Sequence, residues 1–555
     1  MLVFSETMPD ILERNPVMNK IAIVVCVFIS CLVARGAPAQ PSAETTPSDN
    51  PVAAHYAALK DAVPAWVTAL PWNRTVNITD AQGTNDDERV RAAQTEVVKR
   101  GGGVIYFPAG TYTFSDDIRL ETGVILRGET PVEGNAKSDQ YAPRTRFEFP
   151  SYRPSMEGEG TPIGTAFKCI RLAEPSKAGH CGIANIAINR GHVYFEEGPD
   201  HLVGSNRFVF GCLLSNTAAA DPTIPNKEYS QQAHQRFTAR HRAAIHIFSG
   251  ENMFVANNRL PRSGDGNFLV KPYTLVRVLN GKGQDFTFKG KKPFRVETLE
   301  DGVEFDYDNR PGIYANFGKV GSVGHDLPNG TPETFPQGFR KGIILRDNYI
   351  YCSGRCAIAF AGDGVVCSFN TIRYPAGLRR PTTTGLVASD GSATNDNRAM
   401  TMRGYRWHVE GNDYEVHSNT ACDGHNKIND GEGIMHENHD NSAVRGSEMI
   451  GNTGNRYLCL WVMDIDGLLI QSNKVTAGGA AIHVLSGDRP VNNLKILDNE
   501  LTQGHISVSA TNGRNIEIAR NRFTGQGQGK INVDDTTWTH DNVNFATEVH
   551  KPRKK

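Results

Sequence analysis

The sequence predicts an all-β fold in which one chain winds into a stack of short strands, a single-stranded solenoid. Three observations predict it. Short apolar segments alternate with Gly, Pro, Asn and Asp turns along most of the chain. An Asn-centred motif recurs at the length of one coil. At 555 residues the chain exceeds an ordinary single-cored domain, whereas a solenoid grows by adding coils. The 55 glycines suit so many turns.

The chain opens with upstream residues 1–17 and a positively charged start at Met18-Asn19-Lys20. An apolar run at 21–34 follows, then a small-x-small site at Ala37-Pro38-Ala39 before Gln40. Residues 1–39 therefore read as upstream sequence plus a secretory signal peptide, since the run is short of the ~20 residues of a membrane span. Export implies a secreted, periplasmic or extracellular protein with no membrane association after cleavage. Residues 40–75 read as a leader, rich in Pro, Ser, Thr and Ala at 40–55. The stack is expected over 76–555.

A short helix should open it. Asn85 and Asp86 can cap the N-terminus, and Val90, Ala93, Val97 and Val98 share one face. Gly101, Gly102 and Gly103 then stop the helix, and strand segments follow at 104–110, 111–114, 118–121 and 124–128.

Residues 79–128 resemble the opening of the pectate-lyase-like family of right-handed parallel β-helices. The resemblance rests on Asn85-Asp86-Asp87, Gly101-Gly102-Gly103, Pro108-x-Gly110-x-Tyr112 and Leu126-Arg127-Gly128. The family's Gly-Asp-Gly turn is Gly83-Thr84-Asn85 here. The resemblance implies a right-handed parallel β-helix with an N-terminal capping helix. It leaves the chemistry open, because relatives include lyases, hydrolases, epimerases and phage depolymerases.

Further along, the pattern apolar-x-apolar-x-x-Asn-x-apolar places Asn348, Asn370, Asn473, Asn499 and Asn521 at matching corners, with steps of 22, 26 and 22 residues. Such asparagines can stack from coil to coil, which makes them structural. Residues 261–311 carry alternating strands without the motif and read as a β-rich insertion. Asn419 and Asn452 are read as the next corners, 33 residues apart, so that an addition falls just before residues 430–440.

Aligning inward apolar pairs across coils, with Trp407/Val409 and Ile434/His436 among them, gives one outward column of His408, Met435, Trp461 and His483. The next column holds Glu410, Glu437, Met463 and Leu485. Adjacent strands would then set Glu410 and Glu437 ~4.8 Å apart along the stack. Paired carboxylates at about that separation drive their pKa values apart and serve as acid and as nucleophile or base of a glycosidase. His436 and His408 stand beside them. Trp461 offers a flat face to a sugar ring, His483 can orient hydroxyls, and Arg406, Arg403 and Lys427 can hold a carboxylate or sulfate.

The expected function is therefore a polysaccharide-active glycoside hydrolase, with the polysaccharide, neutral or acidic, as partner and no cofactor required. One alternative is a lyase acting by β-elimination on a uronate polymer, with Ca²⁺ held by Asp430, Glu432 and Asp423. Another is a non-catalytic carbohydrate-binding surface protein. Net charge −1 and a pI near 7.0 provide no global field for nucleic acid. Of the ten cysteines, Cys26 and Cys31 leave with the signal. Cys352 could pair with Cys356 or Cys367, or the remaining thiols could simply fill the stack.

Overall fold

The computed structural model describes residues 49–59, 61–150, 169–174, 178–189, 191–196, 206–215, 245–248, 251–262, 268–270, 278–279, 284–286, 294–296, 303–305, 313–316, 342–351, 356–374, 398–416, 432–436, 443–461, 464–486, 489–510 and 513–550. The chain is a right-handed parallel β-helix, the hand that parallel crossovers adopt. Each coil contributes one strand to each of three columns, here called faces, and every pairing within the stack is parallel. The first face is a 14-stranded sheet running from Thr75–Asn77 to Thr537–His540. The second begins at Gly110–Thr113 and the third at Ile118–Leu120. Second and third faces fuse where one strand serves both, as in Lys474–Leu485 and Glu500–Ser509.

The interior fills with apolar side chains at alternate positions. Ile358, Met400, Leu458, Ile482 and Ile506 lie in one fully buried register row of the third face. Outside the stack, strand Phe268–Val270 pairs with Val303–Phe305, and Phe294–Val296 pairs with Val278–Leu279 and Gln284–Phe286, all antiparallel.

The helix Asp86–Lys99 closes the N-terminal end. Asn85 accepts from the Glu88 backbone N at 2.8 Å, and the Glu88 carboxylate accepts from the Thr84 N at 2.7 Å, a reciprocal cap. Asp86 and Asp87 tie the helix to the first coil by accepting from the backbone N of Thr113 and Ser115. Val90, Ala93 and Val97 are buried on the stack. Val98, expected on the same face, is 43% exposed, because the helix rotates it past the rim of the coil. Gly103, at φ +155°, sits where a Cβ would lie 2.3 Å from the Arg74 carbonyl O.

The corner between first and second faces is built by a ladder of nine asparagines: 258, 348, 370, 412, 452, 473, 499, 521 and 542. At each step the backbone N and the side-chain Nδ2 both donate to the Oδ1 of the next asparagine, at 2.9–3.1 Å. The same Nδ2 also donates to a first-face carbonyl, as Asn412 does to Cys367 O at 2.9 Å. The residue before each corner turns the chain with φ near +55°, as at Asp347, Phe369 and Gly411. Asn348, Asn370, Asn473, Asn499 and Asn521 are structural, as the spacing predicts.

Asn412, and not Asn419, is the missing corner. Trp407-x-Val409-x-x-Asn412-x-Tyr414 fits the repeat, and its apolar pair belongs to the strand before the corner. The steps become 42 from Asn370, 40 to Asn452 and 21 to Asn473.

The expected leader over 40–75 is also corrected. From Asp49 onward the chain packs across the first face. Asn50 caps Pro51–His55, and Val52, Tyr56, Val67, Leu70 and Trp72 bury against Val104, Ile125, Phe208, Phe210 and Phe254. The apolar content of this segment is too high for a solvated linker. Among the described thiols, Cys169, Cys181, Cys212, Cys367 and Cys459 are buried, and Cys367 is free, so it fills the stack rather than pairing.

Asn412→Ala should remove two donors and one shared acceptor from a buried network, stranding the Asn370 N–H. We expect a loss of about 2–4 kcal/mol in urea unfolding, against less than about 0.5 kcal/mol for Arg514→Ala on the exposed first face.

Candidate functional site

From Asn258 onward every long excursion avoids the asparagine corner. Segments 263–312, 375–397 and 417–431 leave between second and third faces, as does 216–244 before them. Segment 317–343 leaves between third and first. The third face is thus flanked on both sides by the variable chain, which is where solenoids carry sites.

Register assigns its rows. One row runs Tyr194, His246 and Tyr314 on successive coils, then passes Ala359 and Thr401 to Met435, Cys459 and His483. The next row includes Asn316, Ala361 and Arg403, and, further along, Trp461 beside Leu485. Tyr194 and Cys459 occupy outward positions yet are only 2% and 5% exposed, so the face is covered there. Tyr194, His246 and Tyr314 were absent from the sequence-based candidates. Their signal is the pattern of a polar aromatic between two inward residues, as in Ile245-His246-Ile247.

The sequence-derived candidates divide among three places. Met435 and His483 do share an outward row, but Cys459 stands between them and Trp461 is shifted by one pleat. Burial lowers the His483 pKa, and the neighbouring His505 adds repulsion in the same direction. His436 holds a register position between Met402 and Leu460, both fully buried. Arg403 and Glu432 lie on third-face strands, Glu432 opposite Arg398. Glu437, Lys427, Asp430 and Asp423 lie outside the described residues.

His408 and Glu410 lie on the first face, in strand His408–Glu410, which pairs with Val366–Ser368 and with Ala443–Ile450. The strand Glu432–His436, one residue short of Glu437, pairs within the third face. The strand of Glu410 is therefore not adjacent to Glu432–His436. The cause is the displaced corner: Trp407/Val409 precede Asn412 and cannot align with Ile434/His436.

On the first face, His408 Nδ1 lies 2.8 Å from Glu448 Oε2 and Nε2 lies 3.0 Å from Glu410 Oε2. Arg406, expected to hold a substrate anion, donates instead to Asp363 at the third-to-first corner. Among the described residues no cluster of three or more His, Cys, Asp or Glu could hold a metal ion. Nor is any described helix long and apolar enough to cross a membrane.

No protein-family model and no curated protein matches the chain. Among solved structures it is similar to the catalytic unit of a thermostable α-1,3-glucanase from Streptomyces thermodiastaticus, at 12% identity and TM-score 0.35, covering 85% of this chain and 67% of that one. It is also similar to PfbA, a surface adhesin of Streptococcus pneumoniae, at 11% identity and TM-score 0.36, covering 85% and 91%. A third is the A-module of the mannuronan C-5 epimerase AlgE4 of Azotobacter vinelandii, at 10% identity and TM-score 0.31, covering 86% and 98%. All three TM-scores are below 0.5, and the fold assignment rests on this chain's own strand pairing.

Because His483 and His505 both titrate below the ordinary histidine range, the unfolded chain takes up protons near pH 6.5 while the folded chain stays neutral. Stability should therefore fall as pH drops below about 6.5. His483→Gln should flatten that fall in urea titrations between about pH 7 and pH 5.

Proposed function

We propose that the protein is an exported polysaccharide-active enzyme that cleaves glycosidic bonds along its third face. The observation that carries this reading is the third-face register row of Tyr194, His246 and Tyr314 leading on to His483, on the face at whose two edges the long connections begin and end. Consecutive coils repeat ~4.8 Å apart, which suits an extended polymer lying along the stack. Glu437 follows His436 directly. The residues following His436's register partners, Met402 and Leu460, are Arg403 and Trp461. A carboxyl group next to His436 in sequence suits the proton donor of glycosidic hydrolysis, and an indole and a guanidinium suit a sugar ring and an acidic substituent. Glu410, on the first face, has no part in it.

A second reading, β-elimination on a uronate polymer, is favoured by the adjacent His246 and Tyr314, residue types that can take a proton α to a carboxylate. Ca²⁺ at Asp430, Glu432 and Asp423 would neutralise that carboxylate when bound. Product chemistry separates the two: elimination yields an unsaturated, ultraviolet-absorbing end, hydrolysis only new reducing ends. Binding without either product would leave a carbohydrate-binding surface protein.

Glu437→Gln is expected to lower kcat by about 10²-fold or more with thermal unfolding unchanged, while Glu410→Gln keeps wild-type turnover. Full activity in Glu437→Gln removes that residue from the mechanism. Chelation that abolishes activity, with recovery on adding Ca²⁺, would favour the elimination.

A further inference from the structure

The last first-face strand, Thr537–His540, carries Trp538 and His540 on the same outward side, opposite Glu517 and Ala519 of the preceding coil. The two rings stack, with centroids 3.9 Å apart and planes 29° apart, and Trp538 is still 62% exposed. His540 is held at both ring nitrogens, by Asp541 at 2.7 Å and by Glu517 at 3.3 Å. The hydrogen bond to Asp541, then that to Glu517, raises its pKa and favours the cation beneath the indole. Lys495 extends the polar rim, 3.7 Å from Glu517.

We propose that Trp538 and His540 form a saccharide-stacking platform, a second carbohydrate site on the first face, separate from the third-face groove. The ligand class rests on the polysaccharide reading above. A sugar ring offers one apolar face to an indole and an edge of hydroxyls to surrounding carboxylates and ammonium groups. The indole is pre-set by its histidine backing, so little side-chain freedom is lost on binding. The charged rim argues against a second copy of the chain as occupant. A protein interface would have to desolvate Glu517, Lys495 and Asp541, whereas hydroxyls can bond to them while they stay wet.

The test compares full-length wild type, Trp538→Ala, Trp538→Phe and His540→Gln by affinity electrophoresis through gels containing dextran, xylan, alginate or polygalacturonate. Wild type should be retarded by at least one polymer. Trp538→Ala should weaken that binding about tenfold, with Trp538→Phe and His540→Gln in between. Turnover of short soluble oligosaccharides should be the same in all four. Equal retardation of wild type and Trp538→Ala overturns the platform, as does a wild type that none of the four polymers retards. A dimer seen in sedimentation and lost in Trp538→Ala, with retardation unchanged, assigns the surface to a second copy and also overturns it. Retardation that depends on Trp538, without cleavage of any polymer, upholds the platform while the catalytic reading fails.

Discussion

The structure depends on one repeated interaction, the double hydrogen bond by which each corner asparagine gives its backbone N–H and its Nδ2–H to the Oδ1 of the next. A buried side-chain amide with all its capacity used is costly to leave half satisfied. Slipping one coil against the next by a single residue would strand several such groups at once and would also turn every interior side chain outward. The ladder therefore sets register for the whole stack from Asn258 to Asn542, and the alternation of the three faces follows from it. The left-handed residue before each asparagine completes the device, because it turns the chain sharply enough to bring the amide inward. Even Phe369 and Arg520 adopt that conformation, so the corner geometry prevails over their intrinsic preference.

A corner so constrained cannot accept insertions, and from Asn258 on it has none. Variation is displaced to the other two corners, and both of these border the third face. Fold and site are linked in this way: the rigid ladder on one side permits long connections on the other. The N-terminal segment covers the opposite end of the first face, where Tyr56 bonds to Asp347 at 3.0 Å and lies under the Arg346 guanidinium.

The architecture was legible in the sequence because its determinants are local: the capping helix, the glycines after it and the recurrent asparagine each signal without reference to distant residues. Between Asn348 and Asn521 the ladder was legible except at Asn412, where a glycine fills the place before the asparagine and long excursions on both sides break the spacing; the end members Asn258 and Asn542 were not assigned as corners. The omission of Asn412 misplaced Trp407/Val409 relative to the corner and, with them, His408 and Glu410. The third-face row of Tyr194, His246 and Tyr314 was hidden for a different reason. Excursions at 197–205, 216–244 and 263–312 separate residues that only coil stacking makes neighbours. The apolar segment from Asp49 was obscured by the Pro-Ser-Thr run before it.

The first face shows how outward charge is arranged in such a stack. Strands repeat ~4.8 Å apart, so like charges on successive coils would repel, and the face answers with alternation. Arg445 meets Asp464 at 2.9 Å, Arg520 meets Asp498 at 2.7 Å, and His408 is bracketed by Glu410 and Glu448. Exposed pairs of this kind contribute less than about 1 kcal/mol each, yet they leave Asp464 and Asp498 with a cationic neighbour. The third face differs, because Tyr194 and Cys459 there are closed off from water, and burial of that kind weighs against any charge that is not paired.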